Sequence, residues 1–587
     1  MPSRTSDEFE LVETSNRRSN HRTMRSVSSS YDPVPTNAAR HARSRTTADT
    51  VTQKFSLTPN PRDWGSNISP YVPEPDDAIH NPDPKKDATT DRFKIFTKRG
   101  LTNMGCLLIL LLALLGLFIG YPISRFVSSK TPAFNDRHQA PVQDMGARSG
   151  LIDPDTPQDA REILAVTDGQ TKMKLVFSDE FNTDGRTFYA GDDPYWEAED
   201  FHYWGTNNLE WYDPAAITTK NGSLAITLSK RPPEINHNLT YQGGLMTTWN
   251  KFCFTGGAFY ASVNLPGASN VLGLWPAVWA VGNLGRAGYG ATLDGMWPYT
   301  YDSCDVGTVK NQSLNGLPAI ASTGGIDGGP LSFQPGQRLS RCTCQGESHP
   351  GPAHADGSYV GRSAPEIDVI EAQVQNGVGF VSQSLQLAPF NVDYDWFNTS
   401  DNLIIYDPQV SKLNPYYKGG VYQQATSGLS ETDQRCYELE SPCFSTYAFE
   451  YKPGFDGGYI TWVSNGKPAW TIRSEGLAAD ARAQISARPI PQEPMYLIVN
   501  LGISEQFGGV DWDHITFPAT MTVDWIRVYQ DENNVNVGCD PEDFPTRAYI
   551  KQYEEAYSNP NLTTWNGPRE SGGYGQPMPK NNLVDSC

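Results

Sequence analysis

The chain has 587 residues, with 46 Lys+Arg against 66 Asp+Glu. A net charge of −20 excludes a general nucleic-acid binder, which needs a basic face for phosphates. Charged residues at 19% are too few for a chain kept disordered throughout by charge, and the 52 Gly, 44 Pro and 14 Trp favour a loop-rich β protein over a helical bundle.

The charge is uneven. Residues 1–100 hold 16 basic and 13 acidic residues, whereas the remaining 487 hold 30 and 53. Two differently composed parts suggest two compartments. Residues 1–100 are rich in Ser, Thr, Asn, Pro and Arg without a sustained apolar period, the composition of a disordered cytoplasmic tail. Its Ser/Arg stretches, Arg17–Ser30 and Arg40–Thr47, read either as sorting signals or as plain solvated chain.

Leu101–Ser124 contains no charged residue. An uncharged apolar run of about 20 residues is long enough to cross a bilayer as a helix, and it lacks the polar face of a buried core helix. It lies too far into the chain for a cleaved signal peptide. Arg92, Lys94, Lys98 and Arg99 precede it, and only Arg125 and Lys130 follow closely. The excess of cations before the span predicts a type II signal-anchor with the C-terminal bulk lumenal or extracellular. The expected residence is the endoplasmic reticulum, Golgi or plasma membrane. Residues 125–160 read as a stem.

Two patterns agree with this topology. Glycosylation sequons stand after the span at Asn221, Asn238, Asn311, Asn398 and Asn561, and once before it at Asn67. Of nine cysteines, Cys106 lies in the span and the other eight lie beyond it. An even set in an oxidising compartment predicts disulfides. The expected pairs are Cys436 with Cys443, by proximity, and Cys539 with Cys587, tying down the tail. The Cys342-x-Cys344 pair alternatively suggests metal, but no second Cys/His cluster accompanies it.

Residues 161–535 carry short segments rich in β-branched and aromatic residues. Examples are Leu224–Leu228, Tyr459–Val463, Met495–Asn500 and Met521–Tyr529, separated by Gly, Pro and Asn. This predicts an all-β sandwich or jelly roll. Residues 283–362 interrupt it as a Gly/Ser/Pro-rich insertion with three cysteines, expected to brace one end. Residues 536–587 form a disulfide-tied extension.

The sharpest chemical signal is Glu366-Ile-Asp-Val-Ile-Glu371. Alternation places Glu366 and Asp368 on one face of a strand, and Glu371 on the other. A single bulge between Asp368 and Glu371 returns all three carboxylates to one side. Clustered acids raise one another's pKa, which allows an ionised nucleophile beside a protonated acid. An exposed acidic strand and a calcium site are the alternatives, so a structural calcium stays open. No other cofactor and no catalytic metal is expected.

This strand resembles the bulged E-x-D-x-x-E strand of glycoside hydrolase family 16. Other segments of similar kind stand in order: Leu175-Val-Phe-Ser-Asp-Glu-Phe-Asn182, Gly273-Leu-Trp-Pro-Ala-Val-Trp279, Phe444-Ser-Thr-Tyr-Ala-Phe-Glu-Tyr451, Asn500-Leu-Gly and Val523-Asp-Trp-Ile-Arg-Val-Tyr529. The resemblance implies a concanavalin-like jelly roll. It implies Glu366 as nucleophile, Glu371 as acid and then base, and Asp368 as the residue that tunes the nucleophile. Trp211, Trp275 and Trp279 are candidates for sugar subsites or for the core, and Gln386 is a further substrate-binding candidate. Two departures stand out. Tyr260 and Ser262 replace the family's frequent Glu and Arg, and Ser382 and Gln386 stand where hydrolases usually carry His.

The anchor, the Trp297-Pro-Tyr-Thr-Tyr-Asp-Ser-Cys-Asp-Val-Gly307 segment, Cys342-Thr-Cys344, Ser382–Pro389 and Pro560–Trp565 with the Cys-ended tail resemble the fungal β-1,6-glucan synthesis-associated membrane proteins. That resemblance implies a membrane-anchored glycoprotein needed for wall β-1,6-glucan. Its expected partners are β-glucan, the bilayer, and wall-synthesis or trafficking proteins. The expected activity is that of a retaining glycosidase or transglycosylase. The alternative is a non-catalytic glucan-binding or wall-assembly factor on the same fold.

Overall fold

The computed structural model describes residues 105, 108, 110–115, 118 and 150–587. The expectations for the tail, most of the apolar span and most of the stem lie outside these residues. Residues 110–115 are helical, and their leucines are exposed. Among the described residues no helix is long and apolar enough to cross a membrane.

From residue 150 onward the regular structure is mainly β, with short helices in the connections and the tail. Thirteen strands have six or more residues: β1 (Lys172–Asp179), β2 (Ser223–Lys230), β3 (Tyr241–Thr247), β4 (Gly257–Asn264), β5 (Leu274–Gly282), β6 (Glu366–Gln375), β7 (Val378–Leu387), β8 (Gln423–Glu431), β9 (Ser445–Lys452), β10 (Tyr459–Ser464), β11 (Lys467–Arg473), β12 (Met495–Ile503) and β13 (Ala519–Asp531). They form two antiparallel layers. The front sheet runs β8-β7-β6-β5-β12-β3. The back sheet runs β11-β10-β9-β4-β13. The long β13 then meets β2 with its first half and β1 with its second.

The layers meet through alternate residues. Val278, Ile367, Leu385, Leu497 and Val499 of the front sheet pack on Phe259, Phe449, Ile460, Ile526 and Val528 of the back sheet, all fully buried. Trp462 and Trp470 stack at 4.1 Å within this core. Gly428 makes room for them, because a Cβ there would lie 2.4 Å from Trp470 Nε1.

The opposite face of the front sheet carries the three carboxylates and most of the polar residues of β6 and β7. Over its β12–β3 side sits a second apolar cluster. Leu245, Val281, Tyr496 and Ile498 of the sheet pack there against Leu284 and Ala291 of the insertion and Tyr549, Tyr557 and Trp565 of the tail. A third cluster joins Tyr299, Tyr301, Val309 and Leu331 of the insertion to Phe390 and Tyr394 beyond β7. Insertion residues thus pack against the sandwich in both clusters.

Buried charge fixes these attachments. Arg362 of the insertion makes two 2.8 Å bonds to Glu493 and donates to the Pro545 carbonyl of the tail. Arg338 donates to three carbonyls around the Gly290–Leu293 helix and lies 3.8 Å from the centre of the Trp565 ring.

The disulfides correct one expectation. Cys436 pairs with Cys443 as expected, but Cys539 pairs with Cys253 and not with Cys587. Cys587 pairs with Cys344, and Cys304 with Cys342. The reason is spatial: the tail lies so that Cys539 meets the connection between β3 and β4 while Cys587 reaches the insertion. Cys342 and Cys344 are both engaged in disulfides, which removes the thiolate metal pair. Part of the stem also differs from expectation. Asp153 and Thr156 are buried, and Thr156 Oγ1 donates to Glu180 at 2.8 Å. The ordered domain therefore begins before residue 161.

Removing the long-range bridge with Cys253→Ser and Cys539→Ser is expected to cost about 2–5 kcal/mol, the usual effect of losing a native disulfide. Denaturant melts of the double variant under oxidising conditions measure it.

Candidate active site

Glu366, Asp368 and Glu371 lie on β6, in the interior of the front sheet. Register shows how they come together. Asp368 pairs with Ser384 and Glu371 with Ser382, leaving Val369 and Ile370 opposite Gln383 alone. On the other side Asp368 pairs with Trp279 and Ile370 with Val278, so Val369 is the extra residue. This is the bulge expected from parity, and it turns all three carboxylates to one face.

A bulge leaves backbone carbonyls outside the ladder, and buried ones need donors. Two side chains of the sandwich supply them. Trp462 Nε1, from the back sheet, donates to the Asp368 carbonyl at 2.8 Å. Gln383 Nε2 donates to the Val369 carbonyl at 3.1 Å and to Val463 O at 2.9 Å.

Each carboxylate has its own donors. Trp297 Nε1 donates to Glu366 Oε2 at 2.8 Å. Ser384 Oγ and Gln386 Nε2 donate to Asp368 Oδ2 at 2.6 and 3.1 Å. Trp275 Nε1 donates to Glu371 Oε1 at 3.1 Å. Trp275 is itself stacked on Phe507, ring centres 4.2 Å apart and planes within 2°.

The environment raises all three pKa values. Burial is the largest cause at each residue. Glu366 is pushed well above the usual carboxylate range by burial and then by Asp368 and Glu371, opposed only by the Trp297 indole. Glu371 is pushed up to about 8 by burial and by Asp368, opposed by Trp275. Asp368 rises only to about 6, because two donors oppose its burial. The three titrate as one unit, so at neutral pH the cluster carries fewer charges than carboxyls.

The other expected residues fall in distinct places. Trp279 pairs with Asp368 across β5 and β6, and its Nε1 donates to Asn500 Oδ1 at 2.7 Å. Asn500 Nδ2 reaches Tyr212 Oη at 3.2 Å, and Asn208 Nδ2 bonds both Tyr212 Oη and Glu210 Oε1. Burial pushes Glu210 up to about 7. Gln386 touches the cluster through Asp368, while its Oε1 is buried and has no partner. Trp211 is not joined to the carboxylates. It stacks on His237 at 3.7 Å and donates to Asp200 at 2.7 Å. Tyr260 and Ser262, the departures noted above, lie on β4 of the back sheet. Among the sequons, Asn221, Asn238, Asn398 and Asn561 are exposed and Asn311 is half-buried.

Several site residues were not singled out from the sequence. Trp297 comes from the insertion, 69 residues from Glu366. Its segment was noted, but nothing in the spacing aims its indole at a carboxylate. Ser384 was legible in principle: it lies two residues from both Ser382 and Gln386, and so on the same face. Tyr203 and Tyr417 carry no sequence signal. The carboxylate charges help raise the pKa of each phenol, after burial, and Tyr417 is 47% exposed.

Comparisons with known proteins agree on the family. The family model described as beta-glucan synthesis-associated protein SKN1/KRE6/Sbg1 matches residues 67–587. The chain is 41% identical to beta-glucan synthesis-associated protein KRE6 of Saccharomyces cerevisiae, over 93% of this chain and 75% of that protein. It is 41% identical to SKN1 of Candida albicans, over 87% of this chain and 66% of that one, so it spans about two thirds of that relative. Among solved structures, it is similar to the catalytic domain of an endo-1,3-β-glucanase (laminarinase) from Thermotoga petrophila. The identity is 19%, with 62% of this chain and 100% of that one covered and a TM-score of 0.35. The endo-β-1,3-glucanase of Pyrococcus furiosus matches at 18% identity, 63% and 98% coverage and a TM-score of 0.36.

Each raised carboxyl binds its proton more tightly in the folded than in the unfolded chain. Stability therefore falls as pH rises from the ordinary carboxylate range, about 4, through the folded values of about 6 and about 8. Glu371→Gln removes one such group. Its melting temperature is expected to exceed that of the unsubstituted chain, by more at pH 8.5 than at pH 5, in paired thermal scans.

Proposed function

The chain belongs to the beta-glucan synthesis-associated SKN1/KRE6/Sbg1 family, and from that premise we propose that it is a retaining glycosidase or transglycosylase acting on β-glucan during cell-wall assembly. The observation that carries the reading is the bulge at Val369, with three carboxyls on one face and a separate donor set on each. Retaining glycosidases need two carboxyls about 5–5.5 Å apart across the scissile bond, one ionised and one protonated.

In this reading Glu366 is the nucleophile. Its carboxylate attacks the anomeric carbon while Glu371 protonates the departing glycosidic oxygen. The sugar is left as an ester on Glu366. Glu371, now ionised, takes a proton from water or from a sugar hydroxyl, whose oxygen displaces Glu366. Water gives hydrolysis and a sugar gives transfer. The raised pKa of Glu371 keeps its proton available at neutral pH. Burial and its acidic neighbours outweigh the Trp297 N–H and hold a proton on Glu366, so in this reading Glu366 gives up that proton before it attacks. Asp368, the carboxyl that ionises most readily of the three, tunes that balance. Trp275 and Trp279 border the site.

The proposal also places residues 101–124 as a signal-anchor helix, with the sandwich lumenal or extracellular and its sequons glycosylated. Endoglycosidase treatment of the chain from its native host is then expected to lower its apparent mass. The chain should also stay with membranes through alkaline extraction.

The catalytic reading predicts that Glu371→Gln lowers glucan cleavage or chain-length exchange by about 10²–10⁴-fold, the usual worth of a general acid. Glu366→Gln should abolish it, with folding and glycosylation intact. Labelled β-1,3- and β-1,6-glucan oligosaccharides incubated with the purified chain provide the assay. Full support of wall glucan by either variant would favour the non-catalytic binding role instead.

A further inference from the structure

The loop from β2 to β3, residues 231–240, carries the sequon Asn238-Leu239-Thr240 and is held in one conformation. Asn236 is buried, and its Nδ2 donates to the Leu239 and Tyr241 carbonyls at 2.8 and 2.7 Å. Backbone bonds run from Asn238 N to Pro233 O at 2.9 Å and from Arg231 N to Thr240 O at 2.8 Å. His237 stacks on Trp211 at 3.7 Å, and Trp211 donates to Asp200. Asn238 itself has a φ of 65°, a left-handed conformation that asparagine tolerates, and it is exposed.

Asn238, Leu239, Thr240 and Tyr241 form one side of a cavity of about 260 Å³. Residues of the 202–209 segment form the other side. That wall is fixed by a 2.7 Å bond between His202 Nε2 and the Asn208 carbonyl. Leu209, Leu239 and Tyr241 give the cavity apolar surface, and the Tyr241 ring is backed by Phe517 at 5.1 Å and Trp512 at 5.9 Å. Asn207, also lining it, is exposed and adds an amide.

Apolar surface with a few polar groups suits a pyranose, which carries C–H groups on its face and polar groups around its edge. The volume lies just under the about 300–1,000 Å³ usual for small-molecule sites, so it takes one sugar ring and not a length of chain. The attachment point for such a ring stands in the cavity's own lining.

We propose that the first sugar of an N-glycan on Asn238 is seated in this cavity and acts as a structural part of the domain. The glycan comes from a lipid-pyrophosphate donor. The Asn238 amide nitrogen bonds the anomeric carbon and loses a proton, and the lipid pyrophosphate leaves with the bonding pair. Once seated, the N-acetylhexosamine ties the β2–β3 loop to the segment that holds Trp279 through Tyr212 and Asn500. This inference rests on the glycosylated, lumenal placement proposed above and assigns one of its sequons a bound sugar.

The test uses the full chain from its native host. An amidase that cuts between asparagine and the first sugar is applied to the folded chain, and the glycan remaining at each sequon is read by peptide mass. Release at Asn238 is expected to be about tenfold or more slower than at the exposed Asn398, and equal to it once the chain is unfolded. In parallel, Thr240→Val removes the sequon without touching Asn238, and Thr240→Ser keeps it. The first is expected to melt about 2–4 °C below the second, whereas Ser400→Ala, which removes the Asn398 sequon, leaves the melting temperature unchanged. Equal release from the folded chain, or equal melting of the two Thr240 variants, would overturn the seated sugar and leave glycosylation in place. A bare Asn238 on a chain glycosylated elsewhere would do the same. Bare sequons throughout would overturn both the seat and the lumenal placement.

Discussion

One extra residue, Val369, organises the site. Without it, Glu371 would turn into the core and Glu366 and Asp368 alone would face the groove. The bulge breaks the ladder and strands two carbonyls, and an unpaired buried carbonyl costs about 1–3 kcal/mol. Trp462 reaches across the sandwich to one of them, and Gln383 takes the other. Two indoles of the core, Trp462 and Trp470, stack where Gly428 leaves space. The three carboxylates are thus positioned by packing between the sheets, from the opposite side of β6.

Burial sets the protonation of the cluster more than mutual repulsion does. At each carboxyl desolvation is the first cause of the raised pKa, and a neighbouring charge comes second at Glu366 and Glu371. The donors then rank them. Asp368, with a serine hydroxyl and an amide, ionises most readily, and Glu366 and Glu371, with a single indole each, keep their protons to higher pH. Donors from β5, β7 and the insertion therefore set three chemically similar groups apart.

The insertion and the tail are as much a part of the site as the sandwich. The insertion supplies Trp297 to Glu366, and the tail helps fill the face of β12 and β3. Their attachment uses buried ions with full hydrogen bonding, Arg362–Glu493 above all. A lone buried charge would be costly, and this pair is stabilised by two direct bonds and several backbone partners. Loosening either segment would alter the carboxylates' surroundings without touching β6.

Much of this was legible in the residues themselves. Period-two alternation marked the strands, and parity in Glu366-Ile-Asp-Val-Ile-Glu371 required a bulge if the acids were to share a face. Both are local consequences of backbone geometry. Sequence proximity also sufficed for Cys436–Cys443. It failed for Cys539 and Cys587, whose partners are 286 and 243 residues away. The same holds for Trp297 at Glu366, for Trp462 at the bulge, and for Trp211, whose ring stacks on His237 rather than joining the carboxylates. The chain by itself determined which residues alternate, which segments are β, and where a bulge must fall if three acids are to share one face. Only the folded molecule decided that the bulge forms and which donors meet the acids, because those contacts join segments whose separation along the chain carries no periodic signal.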